Sequence, residues 1–167
     1  MSERRILLVR HAKADRPDGV ADVDRPLTAR GHADAGAVGA WLAHRSVRPE
    51  LVICSPSKRT RQTWHGIALG MADAAEDPPS PEVDYRAEVY DGDEDDLVAL
   101  IQAVDDAVNT VVLIGHNPSI SSASAFLDPG KAEDLRTSGI AVHRYSGPWD
   151  ECGRGSAPLV ETHTARG

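Results

Sequence analysis

Apolar residues in this chain come in short unbroken runs rather than in polar alternation. Residues 5–9 (RILLV), 51–54 (LVIC) and 110–114 (TVVLI) are the clearest. Runs of this length without alternation predict strands covered on both faces. The stretches between them have helical spacing. Ala33, Ala37, Val38, Trp41 and Leu42 follow Thr28, which is placed to cap a helix. Residues 58 to about 71 predict a second helix. Residues 95 to about 107 predict a third, with Leu97, Leu100, Ile101 and Val104 on one face. Residues 119 to about 127 predict a fourth, with Pro118 near its first turn. Residues 140–145 and 159–163 read as two more strands, joined by the Gly/Pro-rich stretch SGPWDECGRGSAP. The acidic, proline-bearing run ADAAEDPPSPEVD (72–84) reads as a surface loop. Strands alternating with helices predict an α/β fold, a three-layer sandwich with a mainly parallel central sheet and helices on both faces.

Each of the three confident strands ends in a polar, largely basic cluster. The first ends in Arg10-His11, the second in SPSKRTRQT (55–63) and the third in GHNPS (115–119). In a parallel sheet these ends share one edge, where open α/β sheets bind their ligands. Arg10, His11, Arg59 and His116 are therefore expected to converge on one crevice. Two guanidiniums suit the oxygens of a phosphate or carboxylate, and a histidine can serve as nucleophile or as acid and base. The helices after Pro56 and Pro118 would point their N-termini at the same place. Together these features predict a dianionic ligand, most simply a phosphoryl group.

Composition narrows the partners. The 167 residues suggest one domain, 1–167, able to bury roughly 70% of its unfolded surface. With only 4% aromatic residues, the core must be built from Leu, Val, Ile and Ala. A net charge of −8 argues against non-specific nucleic-acid binding but leaves room for a local arginine cluster. Cys54 and Cys152 form neither a CxxC nor a metal-ligand spacing, so no metal is expected and a reduced, cytoplasmic protein is. No apolar stretch nears the ~18 residues of a membrane span, and the N-terminal apolar run is too short for a signal sequence. A monomer is the default expectation.

The ordered set VRHA, DRPLTARG, SPSKRTRQT and GHNPSI resembles the histidine phosphatase superfamily, which has the phosphoglycerate-mutase-like fold. Its short SixA-like phosphohistidine phosphatases are the best match in length and in the Arg-Pro-Leu-Thr segment. Ala12 stands where the first motif usually has glycine, a change also met in small members. The resemblance covers roughly residues 4–145. It implies that His11 attacks phosphorus to form a phosphohistidine intermediate, which water hydrolyses. Arg10, Arg59 and a protonated His116 would hold the phosphoryl oxygens, with no metal or other cofactor. By the same resemblance an acidic residue of YRAEVYDGDEDD (85–96) would donate the proton to the leaving group. Glu88 is in the matching place, with Asp91 or Asp93 as substitutes.

Several residues keep two readings. Arg25 either reaches the phosphate or pairs with Asp22 or Asp24. Ser55 either bonds the phosphate or caps the helix after it, and Asn117 either binds ligand or forms the turn before Pro118. The expected substrate is a phosphorylated protein carrying phosphohistidine or a small phosphate ester. A mutase or small-molecule phosphomonoesterase of the same superfamily is the alternative enzyme. A non-catalytic phosphate-dependent binding module is the alternative of another class.

Overall fold

A computed structural model describes residues 3–167. Met1 and Ser2, which head the segment read above as too short for a signal sequence, lie outside the described residues. The chain runs β1 (Arg4–Arg10), α1 (Ala29–His44), β2 (Leu51–Cys54), α2 (Lys58–Ala74), β3 (Glu82–Tyr85), α3 (Ala87–Asp91), α4 (Glu94–Gln102), β4 (Thr110–Gly115), α5 (Ser119–Leu127), β5 (Gly139–Tyr145) and β6 (Leu159–Thr164). Short 3-10 turns lie at Asp22–Asp24 and Trp149–Glu151.

The strands form one six-stranded sheet in the order β3-β2-β4-β1-β5-β6. β3, β2, β4 and β1 pair in parallel, whereas β5 runs antiparallel to β1 and β6 antiparallel to β5. Alternate residues of β1 divide between two cores. Ile6 and Leu8 join α4 and α5 through Leu97, Ile101, Ile120 and Leu127. Leu7 and Val9 join α1 and α2 through Val38, Leu42, Ile67 and Met71. Both faces of β1 are thus covered, which explains its unbroken apolar run.

The predicted strands are all present. β3 begins inside the stretch read as a surface loop (72–84), and α3 follows it where no element was predicted. β3 is a four-residue edge strand with half-exposed residues, so it lacks the apolar run that marks its neighbours. α3 spans only five residues, too few for a helical period to show. α4 begins one residue earlier than predicted, at Glu94, because Asp93 and Asp96 form a reciprocal capping box. It ends at Gln102, and the chain turns at Asp105, whose side chain accepts from the Ala107 N–H at 2.8 Å. Among the described residues, no helix is long and apolar enough to cross a membrane.

α1 and α2 cross at glycines. A Cβ on Gly39 would run into the Ile67 carbonyl, and one on Gly70 into the carbonyl of Gly36. A Cβ on Gly36 itself would meet nothing within 4 Å. This close approach sets the height of α2 on the sheet, and α2 carries Arg59. Gly36→Ala and Gly39→Ala both gain about 1 kcal/mol of helix propensity. Gly36→Ala should therefore stabilise by up to that amount. Gly39→Ala should destabilise by about 1–3 kcal/mol, because overpacking outweighs propensity. Urea unfolding of the two variants checks the pair, and a change of the same sign in both would refute the tight crossing.

Candidate active site

The sheet continues one residue past its strands at the carboxyl edge. The His11 N–H donates to the Gly115 carbonyl at 3.1 Å, and the Ser55 N–H donates to the Ile114 carbonyl at 3.1 Å. Arg10-His11, Ser55 and His116 therefore leave the sheet side by side. From the other flank Ser138, in the left-handed region at φ 61°, donates its N–H to the carbonyls of Arg10 and His11. The Ala12 N–H is held by Thr63 Oγ1 at 3.0 Å, and that hydroxyl donates to the Arg59 carbonyl at 2.7 Å. The first turn of α2 is thereby locked to the end of β1.

His11 is buried, and its ring centroid lies 5.3 Å from that of His116. Its Nδ1 is 2.7 Å from the Ala12 carbonyl. A carbonyl only accepts, so Nδ1 carries the proton and Nε2 keeps its lone pair. Burial pushes the His11 pKa down to about 4, aided by the nearby Arg59, Arg10 and Arg25 and opposed by the bond to Ala12. The His116 pKa falls to about 3, again chiefly from burial, then from His11 and Arg59. His116 is therefore neutral in this state, where a protonated ring was expected. The expectation assumed a neighbouring phosphate. Without one, cations surround the ring and oppose its charge.

Arg10 donates one N–H to the Leu135 carbonyl at 3.1 Å. Arg59 is buried and directs two N–H groups at Asp22, to its backbone carbonyl at 2.7 Å and its carboxylate at 3.1 Å. Among the described residues, four buried side-chain N or O atoms have no hydrogen-bond partner. Three of them are Arg10 Nε, Arg59 Nε and His116 Nδ1. Buried polar groups in folded proteins are nearly always paired. The two guanidinium nitrogens are obligate donors, and His116 Nδ1 joins them as a donor when its ring is protonated, so together they suit a multi-oxygen anion.

The remaining candidates separate. Ser55 lies between the two readings: its Oγ is 2.8 Å from His116 Nε2 and also accepts from the Ser57 N–H at 3.3 Å. Arg25 donates to the Asp15 carbonyl and to the Asp22 carboxylate, and it also lines the cleft beside His11. Asn117 bonds the Leu135 carbonyl at 2.8 Å and accepts from the Ser121 hydroxyl, so it ties α5 to the 135 loop. Glu88 is partly exposed and pairs with Arg86 at 2.7 Å. Its own backbone N–H and then Arg86 hold its carboxyl below the usual range.

Two side chains that take part were missed in the sequence, besides the Leu135 carbonyl that holds Arg10. Asp22 bridges Arg59, Arg25 and the Tyr90 hydroxyl, which donates to it at 2.6 Å, and these partners hold it far below the normal carboxylate range. Tyr90 stands edge-on to His116 at 5.5 Å. The acidic DVDR turn signalled Asp22 only as a partner for Arg25. Tyr90 has no signal of its own, since its contacts are made by residues 26 and 68 positions away.

A cleft of about 420 Å³ opens beside Arg10 and His11, continuing along Lys13, Asp15, Arg16 and Arg25. A slightly larger one of about 460 Å³ lies between α1 and α2. Small apolar residues and His32 and His65 line it, with none of the four converging residues, whereas Arg10 and His11 line the smaller cleft.

Residues 6–87 match the family model of the histidine phosphatase superfamily (branch 1). An uncharacterized protein of Mycobacterium tuberculosis is 36% identical over 168 residues, 95% of this chain and all of the relative. A structure assigned as a phosphohistidine phosphatase SixA from Nakamurella multipartitia superposes with a TM-score of 0.85 at 29% identity, covering 99% of this chain and 98% of that one. A protein histidine phosphatase SixA complexed with tungstate gives a TM-score of 0.78 at 26% identity, with 96% of both chains covered. The sheet edge that gathers Arg10, His11, Arg59 and His116 is thus part of a shared architecture, and the chain belongs to the histidine phosphatase superfamily and is a phosphatase.

Proposed function

We propose that this phosphatase acts without a metal, through a phospho-His11 intermediate, on phosphohistidine carried by a protein. The observation that carries the reading is the set of three unpartnered buried nitrogens on Arg10, Arg59 and His116 around a histidine whose Nε2 lone pair is free. In the first step His11 Nε2 bonds to phosphorus and the substrate's P–N bond breaks. The substrate ring enters already protonated on its other nitrogen, so the departing nitrogen takes the P–N electron pair, a neutral imidazole leaves, and the phosphoryl group moves to His11. In the second step water attacks phosphorus, phosphate leaves, and neutral His11 returns. Arg10 and Arg59 stabilise the equatorial oxygens as charge shifts onto them. His116 joins as a cation once a dianion beside it raises its pKa. Arginines in this position supply the positive charge a metal would bring, and they would repel a divalent cation.

The leaving group follows from the acids present. Asp22 and Glu88 are both held ionised by cationic partners and N–H or O–H donors. An alkoxide needs a proton from a strong general acid, whereas an imidazole leaves readily once its own nitrogen is protonated. Glu88 as proton donor would first have to leave Arg86. This favours a P–N bond over an ordinary phosphate ester. The similarity to SixA structures supports the same substrate class.

Two residues, His11 and Arg59, give the tests. His11→Ala should lower turnover of a phosphohistidine protein by at least ~10³-fold. Labelled substrate should leave a base-stable, acid-labile phosphoenzyme on the wild type and none on the variant. Wild-type turnover in His11→Ala, or faster turnover of phosphate esters than of phosphohistidine, would overturn the mechanism or the substrate respectively.

Titration of the His11 ring by ¹⁵N NMR should show a neutral Nδ1–H tautomer at pH 7 that protonates only near pH 4, as burial dictates. The unfolded chain takes up the same proton at about pH 6.5. The phosphate-free fold should accordingly keep its full stability above that pH and lose it as the pH falls towards 4. A ring titrating near 6.5 would contradict this environment. Arg59→Ala should weaken inorganic phosphate or tungstate binding by about 10²-fold, in line with ~1.5–3 kcal/mol for a charged hydrogen bond. Calorimetry would measure it, and unchanged affinity would remove Arg59 from the clamp.

A further inference from the structure

We propose that the cleft beside His11 recognises a second anionic group on the substrate, separate from the transferred phosphoryl, and that Lys13 and Arg16 recognise it. The inference deepens the reading of a protein phosphohistidine substrate and rests on His11 as the point of phosphoryl attack.

The first observation is charge. The chain carries −8 overall. Yet this cleft is lined by four cations, Arg10, Lys13, Arg16 and Arg25, against one carboxylate, Asp15. Two of the four are already engaged. Arg10 belongs to the phosphoryl clamp, and Arg25 bonds the Asp15 carbonyl and the Asp22 carboxylate. Lys13 and Arg16 are exposed. Among the described residues neither makes an ion pair with any carboxylate. Asp15 meets Arg16 through the backbone, one carboxylate oxygen accepting the Arg16 N–H at 2.8 Å, and not through an ion pair with its guanidinium.

The second observation is that their backbone is fixed. The Lys13 carbonyl accepts from the Thr28 N–H at 2.9 Å and the Thr28 hydroxyl at 3.3 Å. Ala14 bridges Leu27 in antiparallel fashion, and the Asp15 N–H donates to the Pro26 carbonyl at 2.8 Å. Leu27 is in turn held to α2 by the Gln62 side chain at 2.8 Å. A Cβ on Gly31 would collide with the Lys13 carbonyl, so α1 begins hard against this segment. The two cations stand on a braced ribbon, which lowers the ordering cost of using them.

Reach sets the geometry of the ligand. Lys13 and Arg16 are two and five residues beyond His11, so their backbones lie at most ~7 Å and ~18 Å from it. The second anion therefore sits roughly one to two helical turns, about 5–11 Å, from the phosphorylated side chain if both are on a helix. Aspartate or glutamate flanking phosphohistidine fits this span, as does the distal phosphate of a small bisphosphate.

The test compares kcat/KM for two phosphohistidine peptides that differ only in glutamate or lysine at one and two turns from the phosphohistidine. An alkyl bisphosphate and the matching monophosphate form a parallel arm. The enzyme should prefer the acidic peptide by about tenfold, through KM, and the preference should shrink at 0.5 M salt. In the doubly substituted Lys13→Ala/Arg16→Ala protein the ratio should fall to about one. Its thermal melt verifies the fold. Equal turnover of both peptides by the wild type, or a ratio that survives in the double variant, would overturn the inference. Should the enzyme cleave esters but no phosphohistidine peptide, the phosphohistidine reading fails by itself. The bisphosphate arm then decides: a preference that Lys13→Ala/Arg16→Ala abolishes places the second anion on a small molecule, and no preference rejects it.

Discussion

Everything at this site depends on β1 being seated in parallel beside β4, itself parallel to β2. The pairing is carried one residue beyond the strands by the His11 N–H on the Gly115 carbonyl and the Ser55 N–H on the Ile114 carbonyl. Those two bonds decide where the side chains point. They bring residues more than a hundred positions apart to within ring contact, His11 to His116 at 5.3 Å. A one-residue slip of β1 would exchange its two apolar faces and turn His11 away from the edge. The two cores, Ile6 and Leu8 on one side and Leu7 and Val9 on the other, resist any such slip. Core packing and catalytic geometry are consequences of a single register.

That register also creates an electrostatic problem. Two guanidiniums and two imidazoles share a largely buried edge, and isolated buried charge is costly. The fold meets the cost in three ways. The imidazoles stay neutral, with pKa values near 4 and 3. Asp22 places a carboxylate on Arg59 and is held there by Tyr90 and Arg25. Backbone carbonyls of Leu135 and Asp22 take further N–H groups. What remains unpaired is one nitrogen on each of Arg10, Arg59 and His116. The neutrality of His11 is a consequence of burial and, in the mechanism we propose, the condition for nucleophilic attack, because a protonated ring has no lone pair to offer.

Much of this was legible in the sequence, for identifiable reasons. β1, β2 and β4 are covered on both faces, so each is an unbroken apolar run, and the polar residue closing each run marked the ligand edge. The motifs then sufficed to bring Arg10, His11, Arg59 and His116 together. β3 was invisible because an edge strand with half-exposed residues carries no such pattern. Asp22 and Leu135 were missed for another reason. Asp22 acts through contacts set by an irregular loop, and Leu135 contributes a backbone carbonyl, which no side-chain pattern reports. The neutral state of His116 without phosphate was not foreseen, because a titration depends on what stands beside the ring, and sequence supplies only one part of its surroundings.

The separation between buried and exposed cations bears on how chemistry and selectivity divide. Arg59 is buried and tied to Asp22 by two N–H groups, and Arg10 is braced by the 135 loop, so neither can adapt to different substrates. They suit a group that never varies, the phosphoryl itself. Lys13 and Arg16 lie on a pinned ribbon, but their side chains reach into solvent, where charge acts weakly and over distance. Such positions can be changed without disturbing β1 or the clamp, since the ribbon is held by main-chain bonds to Thr28 and Pro26 rather than by those side chains. On the reading proposed above, the sheet edge sets the reaction, and the loop after β1 is where preference for one phosphorylated partner is written without cost to the core.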